Sequence, residues 1–168
     1  MFSLVFLAIT FTDVLALTDT ERDTVLDAHN NYRRTLASGN SPNNDGTMMP
    51  QGADIFQLRN YTGENIYKMG TQQEAAAALQ GAADLWWSEL VQIGMNPDLN
   101  LTETEFKKGI GHWSQPPLCK VQRTSGGASA NCGNYINQLV YQAGAPCSQC
   151  ITACSDQLCA PPSTNYER

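Results

Sequence analysis

Cysteine placement constrains this chain of 168 residues more than any other feature, because all six cysteines (Cys119, Cys132, Cys147, Cys150, Cys154 and Cys159) fall in its last third. An even number of cysteines in a small chain reads as a disulfide framework of an oxidising compartment, with the pairing left open by sequence alone. The spacings Cys147-x2-Cys150 and Cys154-x4-Cys159 would also suit a four-thiolate zinc site, but an oxidising compartment favours disulfides over free thiolates. A thioredoxin-like role for Cys147 and Cys150 lacks the surrounding strand and helix that such chemistry uses. After Ala145 the chain is almost purely cysteine, small residues and proline, so this tail is expected to be held by its disulfides rather than by a core of its own.

The amino terminus agrees with an oxidising destination. An apolar run from Leu4 to Phe11, followed by Val14-Leu15-Ala16, has the length of a signal-peptide core and ends on a small residue suited to cleavage. Residues 1–16 are therefore read as a signal peptide, 17–145 as the folded domain and 146–168 as a cysteine-rich, hinge-like tail. No later run is long enough to span a bilayer, so a released extracellular product is expected. Two sequons, Asn60-Tyr61-Thr62 and Asn100-Leu101-Thr102, offer Asn60 and Asn100 as glycan acceptors. The formal net charge is −6, with only ten Lys and Arg scattered along the chain, which argues against nucleic-acid binding.

Local patterns place the elements. Thr18-x-x-Glu21 is a capping box, and Val25, Ala28 or His29, Tyr32 and Leu36 recur at helical spacing up to Gly39, predicting a helix over Asp19–Ser38. From Gly39 to Thr62 the composition turns to Asn, Gly, Pro and Met, with a turn signal at Asn44-Asp45-Gly46, and a long loop is expected. Gln72 to Ile93 predicts a second helix with Ala76, Leu79, Ala83, Trp86, Leu90 and Ile93 on one face. Thr102-x-x-Glu105 is a second capping box, predicting a short helix before Gly109. Ile110 to Ser114 reads as a strand, Tyr135 to Val140 as another, and the stretch between them carries poor strand signals.

Four pieces occur in a fixed order: Ala28-His29-Asn30-Asn31-Tyr32-Arg33, Gly63-Glu64-Asn65-Ile66-Tyr67, Trp86-Trp87-Ser88-Glu89 and Gly111-His112-Trp113-Ser114-Gln115. Together with the cysteine-rich tail they resemble the CAP superfamily, and most of all the activation-associated secreted (venom allergen-like) proteins of parasitic nematodes. The resemblance implies an α+β fold, an α-β-α sandwich with a central cleft in which two Glu and two His can hold a divalent cation. Glu64, Glu89 and His112 match three of those four ligands, and the remaining histidine has no counterpart. His29 matches a helix position that looks structural in the family. After Gln115 the family continues into a strand, whereas here Pro116-Pro117 cannot continue a central strand, and the second signature is reduced to Cys132-Gly133-Asn134. The chain thus reads as a shortened member.

Two oxygens and one nitrogen could hold zinc or magnesium with water completing the shell, and a divalent cation, zinc, is the expected cofactor. The bland alternative is equally physical: Glu89 as a solvated helix charge and His112 as a packed side chain beside Trp113. Ser114, two residues after His112, would share a strand face with it, which is weak support for a nucleophile and base. Metal-assisted hydrolysis with Glu64 or Glu89 as base is the other enzymatic possibility. Trp86-Trp87 reads as one core ring and one partly exposed ring, the latter suited to sterol or protein contacts. The expected function is therefore that of a secreted interaction protein without a complete catalytic set. Its partner would be an extracellular or host protein, a sterol or lipid, or a divalent cation; the alternatives are a metal-dependent hydrolase and a non-functional truncated variant.

Overall fold

A computed structural model describes residues 18–58, 74–115, 120–124, 127–131 and 135–161. Helix α1 (Asp19–Ala37) starts where the capping box places it: Thr18 Oγ1 accepts from the Glu21 N–H at 3.2 Å while Glu21 Oε2 accepts from the Thr18 N–H at 2.6 Å. It ends at Gly39, whose φ of +74° is the left-handed conformation that releases a helix into a loop. Helix α2 (Ala75–Gln92) packs against α1. Its buried residues are Ala82, Ala83, Trp87 and Leu90, so the inward stripe is centred on Trp87 and the half-buried Trp86 lies to its side. The expected division of the two indoles into one core ring and one partly exposed ring is borne out.

Beyond α2 come β1 (Asn100–Leu101), α3 (Glu103–Lys107) and α4 (Gly111–Ser114), then β2 (Lys120–Thr124), β3 (Gly127–Asn131), β4 (Gln138–Leu139), β5 (Cys154–Ser155) and β6 (Leu158–Cys159). The strands form three antiparallel pairs, β1 with β4, β2 with β3 and β5 with β6. Two expectations are corrected here. Ile110–Ser114 is a helical turn rather than a strand, and the segment with poor strand signals is a five-residue ladder running from Lys120↔Asn131 to Thr124↔Gly127. Small residues such as Ala128, Ser129 and Ala130 carry little β-propensity, and a hairpin gains its order from pairing rather than from each residue's preference. The strand expected over Tyr135–Val140 is reduced to the two residues of β4.

The loop after α1 is held by side chains that do the work of strand partners. Asn43 donates from Nδ2 to the Met95 carbonyl and accepts from the Met95 N–H, both at 2.9 Å, and Asn30 makes the same two-point contact with Leu58 at 3.2 and 2.7 Å. Asn44 lies so close to Gly94 that a Cβ there would stand 2.1 Å from its Oδ1, and Gly94 has φ +85°, so glycine is required on both counts. Arg33, fully buried in α1, donates from Nη1 to the Phe56 carbonyl, and burial lowers its pKa to about 9.

The tail is sewn onto this loop. Cys147 pairs with Cys154 and Cys150 with Cys159, which removes the four-thiolate zinc alternative. The Cys159 N–H donates to the Ile55 carbonyl and the Gln57 N–H to the Cys159 carbonyl, each at 2.8 Å. Arg34 forms an ion pair with Asp156, and Ser38 hydrogen-bonds Gln157. Contrary to the expectation of a coreless tail, Leu158 and Cys159 are buried, and Leu158 joins the cluster of Leu36, Met49, Ile55, Trp87, Leu90, Leu101, Ile110, Trp113, Val140 and Tyr141. The sequence averages of the tail are dominated by its exposed loop and hide the single leucine that points inward. Replacing Leu158 by Ala is therefore expected to cost about 2–5 kcal/mol of stability, read by urea denaturation; a change below about 0.5 kcal/mol, as at surface positions, would mean that the tail is only appended.

Candidate functional site

The site forms where α2 meets α4. Glu89, near the end of α2, turns its carboxylate to the start of α4. Its Oε2 accepts from the backbone N–H groups of His112 and Trp113, both at 2.9 Å, and its Oε1 lies 2.5 Å from His112 Nδ1. These backbone donors are the orphans that any helix start leaves, and Ile110, at the cap position, has no side chain able to serve them. A carboxylate 23 and 24 residues away in sequence from the two donors thus supplies the cap. This explains why Gly111–Ser114 is helical. It also explains the orientations, since neighbours on one turn diverge: Trp113 enters the core fully buried while the His112 side chain is 46% exposed.

A carboxylate accepts only, so His112 Nδ1 carries the proton, and in the neutral imidazole the lone pair is then on Nε2. The imidazole stacks on Trp86, centroids 6.1 Å apart at 14°. Trp86 also stacks with His29, centroids 5.9 Å apart at 20°. His29 is buried, accepts a long 3.4 Å hydrogen bond from Trp87 Nε1 at its Nδ1, and so is neutral. Burial, with repulsion from Arg33 one turn on, lowers its pKa to about 4. Tyr32 stacks on Trp87 at 5.0 Å and donates to Asp84 at 2.8 Å, which anchors α1 and α2 together beneath the site.

The structure thus brings together Glu89 and His112. Glu64 and Asn60 lie outside the described residues, as do Cys119, Cys132 and the segment 1–16. Among the described residues no three His, Cys, Asp or Glu side chains are grouped as a metal cluster. Asn100 is half-buried in β1. His29 is structural, in agreement with its expected role. The pairing of Ser114 with His112 across a strand face falls with the strand: Ser114 is buried and its hydroxyl donates to the Gly111 carbonyl at 3.4 Å, while His112 turns to Glu89. The residue missed from the sequence is Trp86 as the surface on which His112 rests. Its spacing of three from Glu89 on a helix was the available signal.

No protein-family model matches the chain. The Ancylostoma secreted protein of Ancylostoma caninum is 29% identical over 192 aligned positions, which cover 87% of this chain and 45% of that protein. The chain therefore spans less than half the length of this relative. Among solved structures, BmVAL-1 superposes with a TM-score of 0.74 at 24% identity, covering 89% of this chain and 98% of its own. A crystal structure of NaASP2 with Zn2+ gives 0.70 at 24%, covering 84% and 96%. Na-ASP-1 gives 0.69 at 27%, covering 85% of this chain and 47% of its own. The fold is therefore the one these solved structures share, the CAP-type α+β fold, here with small sheets and a disulfide-bonded carboxy-terminal region. In sequence the chain is similar to the ASP proteins, at 29% and 27% identity.

Two outcomes test the site's architecture. Glu89→Gln keeps an oxygen for one backbone donor but sets an amide N–H against His112 Nδ1–H, and should cost about 1–3 kcal/mol in urea denaturation; an unchanged midpoint would mean a merely solvated carboxylate. The unfolded chain protonates His29 near pH 6.5 and the folded protein only near about 4, so between those values the unfolded state binds more protons and stability falls as pH drops. His29→Gln should flatten that part of the stability-against-pH curve, and a curve superimposable on that of the unaltered protein would refute the assignment.

Proposed function

We propose that the chain is a secreted interaction protein that recognises its partner at the Trp86–Glu89–His112 site, with zinc as the cation of that site. The observation that carries this reading is the Glu89–His112 pair, in which a half-exposed imidazole is locked by its Nδ1 and offers its Nε2. Metal-ligating histidines commonly donate their other ring N–H to a carboxylate, which fixes the tautomer and raises ligand basicity. By this chemistry His112 is the ligand and Glu89 the group that orients it. Glu64, from the Gly-Glu-Asn motif, would supply the oxygen ligand. The Zn2+ in the NaASP2 structure supports the choice of metal. The half-buried Trp86 face suits an apolar portion of the partner, a sterol, lipid or protein side chain.

The hydrolase reading is weaker because a general base needs a lone pair aimed at water. Both Glu89 oxygens are committed, one to two backbone donors and one to His112.

The segment 1–16 would direct secretion, 17–145 would be the domain and 146–168 the tail, with glycans at Asn60 and Asn100. With Cys147 paired to Cys154 and Cys150 to Cys159, Cys119 and Cys132 are the two cysteines left of the six, and we assign the third disulfide to them.

Zinc titration calorimetry on the purified secreted protein should show binding that His112→Ala abolishes and Glu89→Gln weakens by about 10–100-fold, with thermal unfolding followed in parallel to exclude loss of fold. Binding indifferent to His112→Ala would sink the site. Peptide mapping without reduction should recover Cys119 linked to Cys132, and either residue found in another pair would overturn that assignment.

A further inference from the structure

The four tail cysteines form one cluster that admits more than one pairing. Cys147 and Cys154 have Cα atoms 5.8 Å apart, Cys150 and Cys159 5.3 Å. These bridges interlock in sequence and tie the turn Cys147–Cys150 to the hairpin β5–β6. Two further pairs are also within reach. Cys154 stands directly opposite Cys159 in the hairpin. The Ala160 N–H donates to the Ala153 carbonyl at 2.7 Å, so the flanking pair is the hydrogen-bonded one. Cys154 and Cys159 are then a non-hydrogen-bonded pair, whose Cα atoms are about 4.5 Å apart with side chains on one face. The Cys150 N–H donates to the Cys147 carbonyl at 3.1 Å, closing a four-residue turn whose ends lie within about 7 Å. A disulfide accepts Cα separations of about 4.4–6.8 Å, so a second complete pairing, Cys147–Cys150 with Cys154–Cys159, fits nearly the same backbone.

We propose that this cluster is a thiol-exchange site, at which a small external thiol of the glutathione class converts the interlocked pairing into the local one. Access sets the point of entry, because exchange begins where a thiolate can reach a disulfide sulfur. Cys154 is exposed, Cys147 and Cys150 are half-buried, and Cys159 is fully buried. The external thiolate attacks the Cys154 sulfur, the Cys147–Cys154 bond breaks, and Cys147 leaves as a thiolate. Cys147 then attacks Cys150 at the other end of the turn, forming Cys147–Cys150 and expelling the Cys159 thiolate. Cys159 attacks the mixed disulfide on Cys154 opposite it, forming Cys154–Cys159 and returning the external thiolate. The two disulfides broken are matched by the two formed, so no electrons are gained or lost and the external thiol acts as a catalyst.

The exchange unlatches one part of the tail and keeps another. Cys159 stays in the hairpin with its backbone on Ile55 and Gln57, and Leu158 stays in the core. The turn Cys147–Cys150 loses its ties to the hairpin and keeps the hydrogen bond from the Gln149 N–H to the Ala53 carbonyl at 3.0 Å. The Cys147-x2-Cys150 spacing thereby has a use that needs neither zinc nor a thioredoxin-like fold.

The test is disulfide mapping of the full secreted chain after incubation with substoichiometric reduced glutathione, blocking with iodoacetamide and digestion without reduction by thermolysin, which cuts before Ile151. In the interlocked pairing the fragment with Cys147 and Cys150 stays attached to Cys154 and Cys159. After exchange it should be released with an internal disulfide, while the intact mass of the protein is unchanged. Replacing Cys147 and Cys154 together by Ser removes the entry point, so Cys150–Cys159 should then resist the same glutathione, with the thermal melt followed in parallel. The interlocked pairing alone at every time point would overturn the proposal. So would opening of Cys150–Cys159 in the folded double variant at the rate seen in the unaltered chain, since attack would then be direct. Where the double variant does not fold, the mapping of the unaltered chain decides by itself.

Discussion

Where α2 ends, one carboxylate meets three N–H groups. Two are backbone groups of a four-residue helix that has no cap of its own, and the third belongs to an imidazole on that same helix. A four-residue helix is too short to be stable by itself, since nucleation is costly and each end leaves unpaired groups. Glu89 removes part of that cost and at the same time fixes the rotation of α4. With the rotation fixed, Trp113 is driven into the core against Trp87, edge to face at 6.4 Å, and His112 is left outside on Trp86. Core packing and the exposed imidazole therefore depend on the same contact. Charge-assisted hydrogen bonds of this kind are about twice as strong as neutral ones.

A second constraint is the small amount of paired strand. Among the described residues no ladder has more than two strands, and residues 38–58 after α1 join none of them beyond isolated bridges. Buried backbone groups must still find partners. Asn30 and Asn43 provide them by presenting, in one side-chain amide, both the donor and the acceptor that a neighbouring strand would offer. The tail completes the pattern through the backbone of Cys159 at Ile55 and Gln57. Its disulfides hold that pairing in register, so the cysteine-rich segment acts as a third side of the domain as well as a terminus.

The two long helices and the α3 cap were legible because their signals are local: a hydroxyl and a carboxylate three residues apart, an apolar period, a glycine at the end. Trp87 displaced Trp86 from the expected stripe because adjacent residues differ by about 100°, and a stripe drawn from six positions does not resolve which of two tryptophans is central. The helix at Gly111–Ser114 was not legible, since its cap lies on α2 and nothing in Gly-His-Trp-Ser opposes an extended reading. The β2–β3 ladder was hidden for the opposite reason, as its residues have weak preferences and gain order from each other. Glu89 and His112 were identified through the family resemblance; their mutual contact and the carboxylate's commitment to backbone are tertiary facts that no spacing encodes.

That commitment changes what the pair can do. In the proposed reading, a glutamate with both oxygens engaged would serve a cation by orienting and polarising the histidine that holds it. His112 is then exposed on an indole that also stacks with a neutral, buried histidine. Keeping His29 neutral matters for this arrangement: a charge there would stand one ring away from His112 and oppose any cation that His112 bound. The low pKa of about 4 that burial gives His29 removes that opposition at neutral pH. The structural histidine and the exposed one are therefore complementary, one uncharged so that the other can meet a cation.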